Sequence, residues 1–169
     1  GYSNRRSYIA ATNGFQGGYG RTSTSVSAVA FTGSGTQMER DWAAEGRTFA
    51  ADMPSPESVG QRAAERTLLR AGAVKPPTGA YPVLFDERIA SSLVGHILMA
   101  VNGASIVRGT SWARDKLGQQ ILPKGMSLTE NPHRPRISGS RPFDGEGLPT
   151  QRRAIVENGL LTGWTLDLG

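Results

Sequence analysis

The sequence predicts an α+β chain of antiparallel strands and two main helices, on three observations. Serine, threonine and β-branched residues alternate with period two early in the chain, the mark of a strand with two unlike faces. Two later segments carry helix caps followed by helically spaced apolar residues. Finally, 22 glycines and 10 prolines among 169 residues place much of the chain in turns, which favours short strands and loops over a helical bundle.

Residues 5 to 12 suit a strand, and Asn13-Gly14 is a hairpin signal, because both residues tolerate positive φ. The run from Gly14 to Gly20 reads as a flexible wide turn with Phe15 and Tyr19 as aromatic anchors. From Thr22 to Thr32 the pattern alternates Ser23, Ser25, Ser27, Val29 and Phe31 against Thr24, Val26, Ala28 and Ala30. A third strand is expected over Thr36 to Ala44, completing a meander. Ser55 caps the first helix, Pro56 fits its first position and Glu57 complements the dipole. Val59, Ala63, Ala64, Leu68 and Ala71 form its apolar stripe, and Gly72 ends it.

The run Lys75-Pro76-Pro77-Thr78-Gly79 reads as a linker, dividing the chain into domains at 1–75 and 80–169. Tyr81 to Phe85 is expected as a short buried strand. Asp86 caps a second helix to about Val101 that is apolar nearly all round, and such a helix is expected to be buried in a core. Residues 123 to 149 carry five prolines and read as irregular. Arg152 to Glu157 and Leu160 to Leu168 flank Asn158-Gly159, the clearest hairpin signal in the chain.

The net charge of +5 is spread over scattered arginines with no block of like charge, so a basic nucleic-acid tail is not indicated and a nucleic-acid partner is not expected. No apolar run reaches the length of a membrane span, and no leader is visible. Without cysteine there is no disulfide framework and no thiolate metal site. These features fit a cytoplasmic protein. Both ends read as cut: the chain opens without Met on strand-like sequence and closes on a strand with no capping element, so a fragment of a longer chain is expected.

Candidate chemistry is sparse. A helical zinc site needs two histidines one turn apart on one face plus a carboxylate. The chain has only His96 and His133, on different elements, and the simplest reading of His96 is a buried imidazole with a local partner. No Gly-x-Ser-x-Gly elbow surrounds Ser105, Ser111 or Ser140. The glycine run near residue 14 fits neither the dinucleotide fingerprint nor the P-loop. The segment Arg141-Pro142-Phe143-Asp144-Gly145-Glu146-Gly147 is the most specific signal: an arginine and two carboxylates set between glycines. It reads equally as a grip on a peptide or partner and as an arginine–carboxylate clamp that holds the loop. Arg108-Gly109-Thr110-Ser111 reads as a structural turn or a contact site.

Ser140 to Gly147, together with Gly95-His96-Ile97-Leu98, Arg108 to Ser111 and the pattern Gly14, Phe15, Arg21, Thr22 and Ser25, resembles the TldD/PmbA family, called modulators of DNA gyrase and linked to proteolysis and peptide maturation. The resemblance is to the PmbA (TldE) branch, because the His-Glu-x-x-x-His motif of the TldD branch is missing. It implies a strand-and-helix region followed by the start of a β-rich C-terminal domain. It further implies a non-catalytic subunit of a metallopeptidase complex that acts on unfolded peptides, partnered by a TldD-like subunit that holds zinc. On this resemblance the chain has no catalytic residue, metal ligand or cofactor of its own, its assembly is a heterodimer or homo-oligomer, and Arg108, Thr110, Ser111, Arg141, Asp144 and Glu146 are the candidate peptide or partner contacts. The alternatives are a nucleic-acid or gyrase-interaction module, and a self-sufficient peptidase whose site is completed outside this sequence.

Overall fold

A computed structural model describes residues 1–167. It is α+β, as the sequence predicts, and falls into two compact units. The first joins Gly1–Thr78 to Arg134–Leu148; the second joins Gly79–His133 to the segment from Pro149 onward. Only residues 134–148 of the irregular stretch from 123 to 149 therefore belong by contact to the distant N-terminal meander; the rest belongs to the second unit.

In the first unit, β1 (Tyr2–Ala10), β2 (Gln16–Thr32) and β3 (Glu39–Arg47) form an antiparallel sheet in that order. The glycine run is not a wide turn. The turn spans only Ala11 to Phe15, closed by the Ala11 amide on the Phe15 carbonyl at 3.0 Å, and Gly17, Gly18 and Gly20 lie inside β2. β3 starts later than the sequence suggests, because residues 35–37 form a tight helical turn first. Strand alternation sends Val26, Ala28 and Ala30 of β2 and Ala43 of β3 to one face.

Helix α1 (Pro56–Arg70) covers that face. It is capped by Ser55, whose Oγ accepts the Ser58 amide at 3.2 Å. Val59, Ala63 and Thr67, one turn apart, are its buried residues. Small side chains on both surfaces let helix and sheet approach closely. Thr67 is a polar member of this seam beside the buried Asp41: its Oγ1 accepts the Asp41 amide at 3.1 Å, donates to the Ala63 carbonyl at 2.8 Å and lies 3.2 Å from the Ala30 carbonyl. At the rim Glu45 takes Arg62 and Arg47, and those bonds, Arg62 first, hold its carboxyl below the usual glutamate range.

In the second unit, α2 (Glu87–Ala100) starts at Asp86, whose Oδ1 accepts the Arg88 amide at 2.9 Å. The short α3 (Gly103–Val107) follows, capped by Asn102. β4 (Leu128–Glu130), β5 (Arg153–Glu157) and β6 (Leu160–Leu161) form a second antiparallel sheet. Ala100, Val101, Ile106, Ala113, Ile155, Val156 and Leu161 make its core. Arg153 ties the sheet together, donating to Glu130 at 2.7 Å, to the Trp164 carbonyl at 3.0 Å and to Thr165 Oγ1 at 2.8 Å.

Two expectations fail here. Tyr81 to Phe85 is neither a strand nor buried: Val83 is 69% and Leu84 98% exposed. No described strand pairs with it, and Pro82 lacks the amide a ladder needs. The second is α2, which is not buried on every side. Leu93 is 44% and Met99 69% exposed, and among the helix residues only Ala100 is buried. Composition makes a helix apolar, but burial requires neighbours, and the described residues cover only its C-terminal end. His96 accordingly lies exposed rather than enclosed.

The Asn158-Gly159 hairpin forms as expected, with φ of 47° and 84° at the two central residues, the signature of a type I′ turn. Its second strand is short. After Leu161 the chain leaves the sheet, and Thr165 makes one parallel bridge to Asn102; Leu168, the expected end of that strand, lies outside the described residues. The turn is itself enclosed. Gly159 donates to the Met126 carbonyl at 2.7 Å and accepts the Ile121 amide at 2.9 Å, and Asn158 Oδ1 accepts the Gly125 amide at 2.7 Å.

Two substitutions test these packing arguments. Thr67→Val keeps the shape but strands the Asp41 amide, and should cost about 1–3 kcal/mol in denaturant unfolding, the usual penalty for a buried unsatisfied group. Gly159→Ala forces a side chain into positive φ, at about 1–3 kcal/mol, and drives its Cβ into the Leu122 carbonyl. It should lower the melting temperature more than Gly60→Ala on α1, whose Cβ meets no atom within 4 Å.

Candidate functional site

The sheet of the first unit has a second face, opposite α1. Register places Ser3 across from Ser23, Arg5 across from Arg21 and Ser7 across from Tyr19. Because strand side chains alternate, these six residues share one face as three successive rungs. Together with Arg141 they line a groove of about 370 Å³. Three arginines and three serines thus line one opening, and none of its lining residues is acidic.

Arg141 reaches this face because residues 134–148 are bound to the sheet. Phe143 is 7% exposed and packs edge-on to Phe15 and Tyr19, with ring centroids 4.9 and 5.5 Å away. Gly17 makes this contact possible: a Cβ there would lie 2.7 Å from the Phe15 ring and 3.0 Å from Phe143. At the start of the loop Arg21 donates to the Ser140 carbonyl while its guanidinium carbon lies 5.4 Å from the Tyr19 ring centroid. Further back, Arg136 pairs with Asp52 at 2.9 Å and stacks 4.5 Å over Phe49.

The predicted site residues divide between the two units. Arg141, Asp144 and Glu146 lie in the first; Arg108, Thr110 and Ser111 lie in the second. Asp144 organises its own loop: its Oδ1 accepts the Glu146 and Leu148 amides, each at 2.9 Å. Ser111 is also committed to the backbone, donating to the Ala100 carbonyl and accepting the Ala113 amide at 3.0 Å. Thr110 donates to the Ser105 carbonyl at 3.3 Å, and Arg108 is the exposed cap of α3. Arg141 alone of the six lines the groove. Sequence reading missed Arg5, Ser3, Ser7 and Ser23 as its companions. The signal available was the shared parity of Arg5 and Arg21 about the Asn13-Gly14 turn, once the true loop length is known.

The residues around His96 do not fit a metal. One turn away on α2 stand Ser92 and Ala100, and neither offers an imidazole or carboxylate. His133 is on another segment, with Nε2 3.0 Å from Thr150 Oγ1. Among the described residues no three His, Asp or Glu side chains gather as a metal-binding group. No described helix is long and apolar enough to cross a membrane.

Comparison with known proteins identifies the class. Residues 1–71 match the family model described as the PmbA/TldA metallopeptidase central domain, and residues 78–169 match its C-terminal domain. The chain belongs to the PmbA/TldD family. It is 38% identical to Metalloprotease PmbA of Escherichia coli O157:H7 over 92% of this chain and 34% of that protein. It is 40% identical to the Metalloprotease PmbA homolog of Haemophilus influenzae over 64% of this chain and 24% of that protein. A crystal structure from Bacteroides thetaiotaomicron, named as a candidate modulator of DNA gyrase, superposes with a TM-score of 0.91 at 30% identity over 98% of this chain and 38% of that one. TldE from Thermococcus kodakarensis shares the fold, with a TM-score of 0.77 at 19% identity over 98% of this chain and 38% of that one. The chain therefore spans about a third of the length of these relatives.

The loop's anchorage yields a prediction. Phe143→Ala removes a buried ring and should cost about 3–5 kcal/mol of stability, as large-to-small aromatic changes in packed sites do. Limited proteolysis should then cut between residues 134 and 148 faster than in the unchanged protein. Equal cutting rates would mean that Phe143 does not hold the segment.

Proposed function

We propose that this chain is part of a PmbA-type subunit that shapes a peptide-processing assembly without holding the catalytic metal itself. The observation that carries this reading is the chemistry of α2: His96 stands on a helix that presents no second imidazole and no carboxylate one turn away, in a family whose domains are described as metallopeptidase domains. A metallopeptidase needs three protein donors and an open position on zinc, and α2 supplies one imidazole. The zinc is then held by a TldD-like partner, and the substrate is an unfolded peptide. Asp144 and Glu146 serve the loop that carries Arg141, while Arg108, Thr110 and Ser111 mark a turn that presents Arg108 to a partner. Assembly with the partner is the working state, as a heterodimer, in the cytoplasm.

The test is reconstitution. The full-length protein purified alone should carry well under one zinc per chain and should not cleave an unfolded peptide. Mixed with its TldD-like partner it should co-elute as one complex that carries zinc and cleaves the peptide, and His96→Ala should leave that metal content unchanged. Stoichiometric zinc on the full-length chain alone, lost in His96→Ala, would overturn the reading in favour of a self-sufficient peptidase. Salt-sensitive capture of DNA gyrase without peptide cleavage by the complex would favour the modulator reading.

A further inference from the structure

We propose that the groove between Arg5, Arg21 and Arg141 is an oxyanion site that takes one carboxylate of a peptide, either an acidic side chain or the C-terminal group. It deepens the peptide reading above and rests on it for the identity of the ligand.

Three observations carry it. First, Arg5 and Arg21 are direct cross-strand partners, and like charges set opposite each other oppose sheet pairing. An anion between them reverses the sign of that interaction. Second, the fold brings a third guanidinium, Arg141, to the same opening from far along the chain, on a segment fixed by Phe143 and by the Arg21 bond to the Ser140 carbonyl. A cation delivered by a rigid mount is prepared for a ligand, because less order is lost on binding. Third, no acidic residue lines the groove, and the Arg5 side chain, unlike its backbone in the ladder, makes no hydrogen bond or ion pair with a described residue. Guanidinium forks match the two oxygens of a carboxylate, and the flanking Ser3, Ser7 and Ser23 add hydroxyl donors.

The groove fits one anion rather than a polyanion. The rungs on either side of the arginine pair are Ser3 with Ser23 and Ser7 with Tyr19. They carry no positive charge, so the face offers no track of cations along a phosphate backbone, which nucleic acid binding requires.

The experiment uses the full-length protein at low salt and a fluorescent ten-residue unfolded peptide with one Glu and a free C-terminus. A counterpart carries Gln and a C-terminal amide. The acidic peptide should bind at least tenfold more tightly than the neutral one, and inorganic phosphate should compete with it. Arg5→Gln should abolish that preference with no loss of melting temperature, since the Arg5 side chain bonds to no described residue, and Arg141→Gln should abolish the preference as well. Equal affinity for the two peptides overturns the proposal, as does a preference that survives both substitutions. Phosphate binding that depends on Arg5 without any preference between the peptides also overturns it, since the anion is then not a peptide carboxylate. Tighter binding of single-stranded DNA than of the acidic peptide, lost in Arg5→Gln, overturns it in favour of nucleic acid. If the preference stands while the reconstituted complex fails to cleave any peptide, the carboxylate site holds and only the processing role falls.

Discussion

The contact between Phe143 and the bare backbone at Gly17 is the constraint on which the candidate site depends. A strand interior normally disfavours glycine, which has no side chain to pack and loses the most entropy on folding. Here the missing Cβ makes room for two aromatic rings at once, Phe15 from the turn and Phe143 from a distant loop. The rings restore the apolar contact that glycine lacks. Once Phe143 is seated, the residues beside it have little freedom: Ser140 receives the Arg21 guanidinium and Arg141 stands at the groove.

The two faces of the first sheet show how one periodicity separates stability from recognition. Residues of one parity, Val26, Ala28 and Ala30, lie under α1 and form the core. Residues of the other parity include Arg5, Arg21 and the serines that flank them. The same backbone ladder therefore supports a dry seam on one side and a cationic groove on the other. The seam is held by small side chains and by the bonds of the Thr67 hydroxyl, so its stability comes from close approach. Nothing in the seam requires these arginines, so the face they occupy can serve recognition.

Small polar residues in turns illustrate a general ambiguity. Asp144 and Ser111 look like contact residues because they are polar and set among glycines or beside an arginine. In the structure one Asp144 oxygen and the Ser111 hydroxyl bond to nearby backbone groups. Asp and Ser favour such local bonds because their short side chains reach neighbouring backbone groups without strain. Arginine has a longer side chain whose charge reaches beyond its own turn, so its placement over a groove is the more telling observation. The same reasoning separates His96 from a zinc ligand. One imidazole on a helix becomes part of a metal site only when other donors share its face, and Ser92 and Ala100 are not such donors.

The sequence by itself determined what is local. Ser55, Pro56 and Asp86 mark helix starts because a cap acts within three residues of itself. Asn158-Gly159 marks a hairpin because the turn demands two positive φ angles. Alternation over Thr22 to Thr32 marks a strand and sorts its faces. Family membership, too, was readable from short motifs. What tertiary structure decided is whatever needs a distant neighbour. It left α2 and Tyr81 to Phe85 exposed, although both are apolar, because burial belongs to the pair of surfaces and not to one of them. It drew the glycine run into β2, because pairing with β1 outweighs glycine's preference for turns. It also brought Arg141 to Arg5 and Arg21 through a ring stacked on a glycine, a contact between residues 126 positions apart that no local pattern encodes.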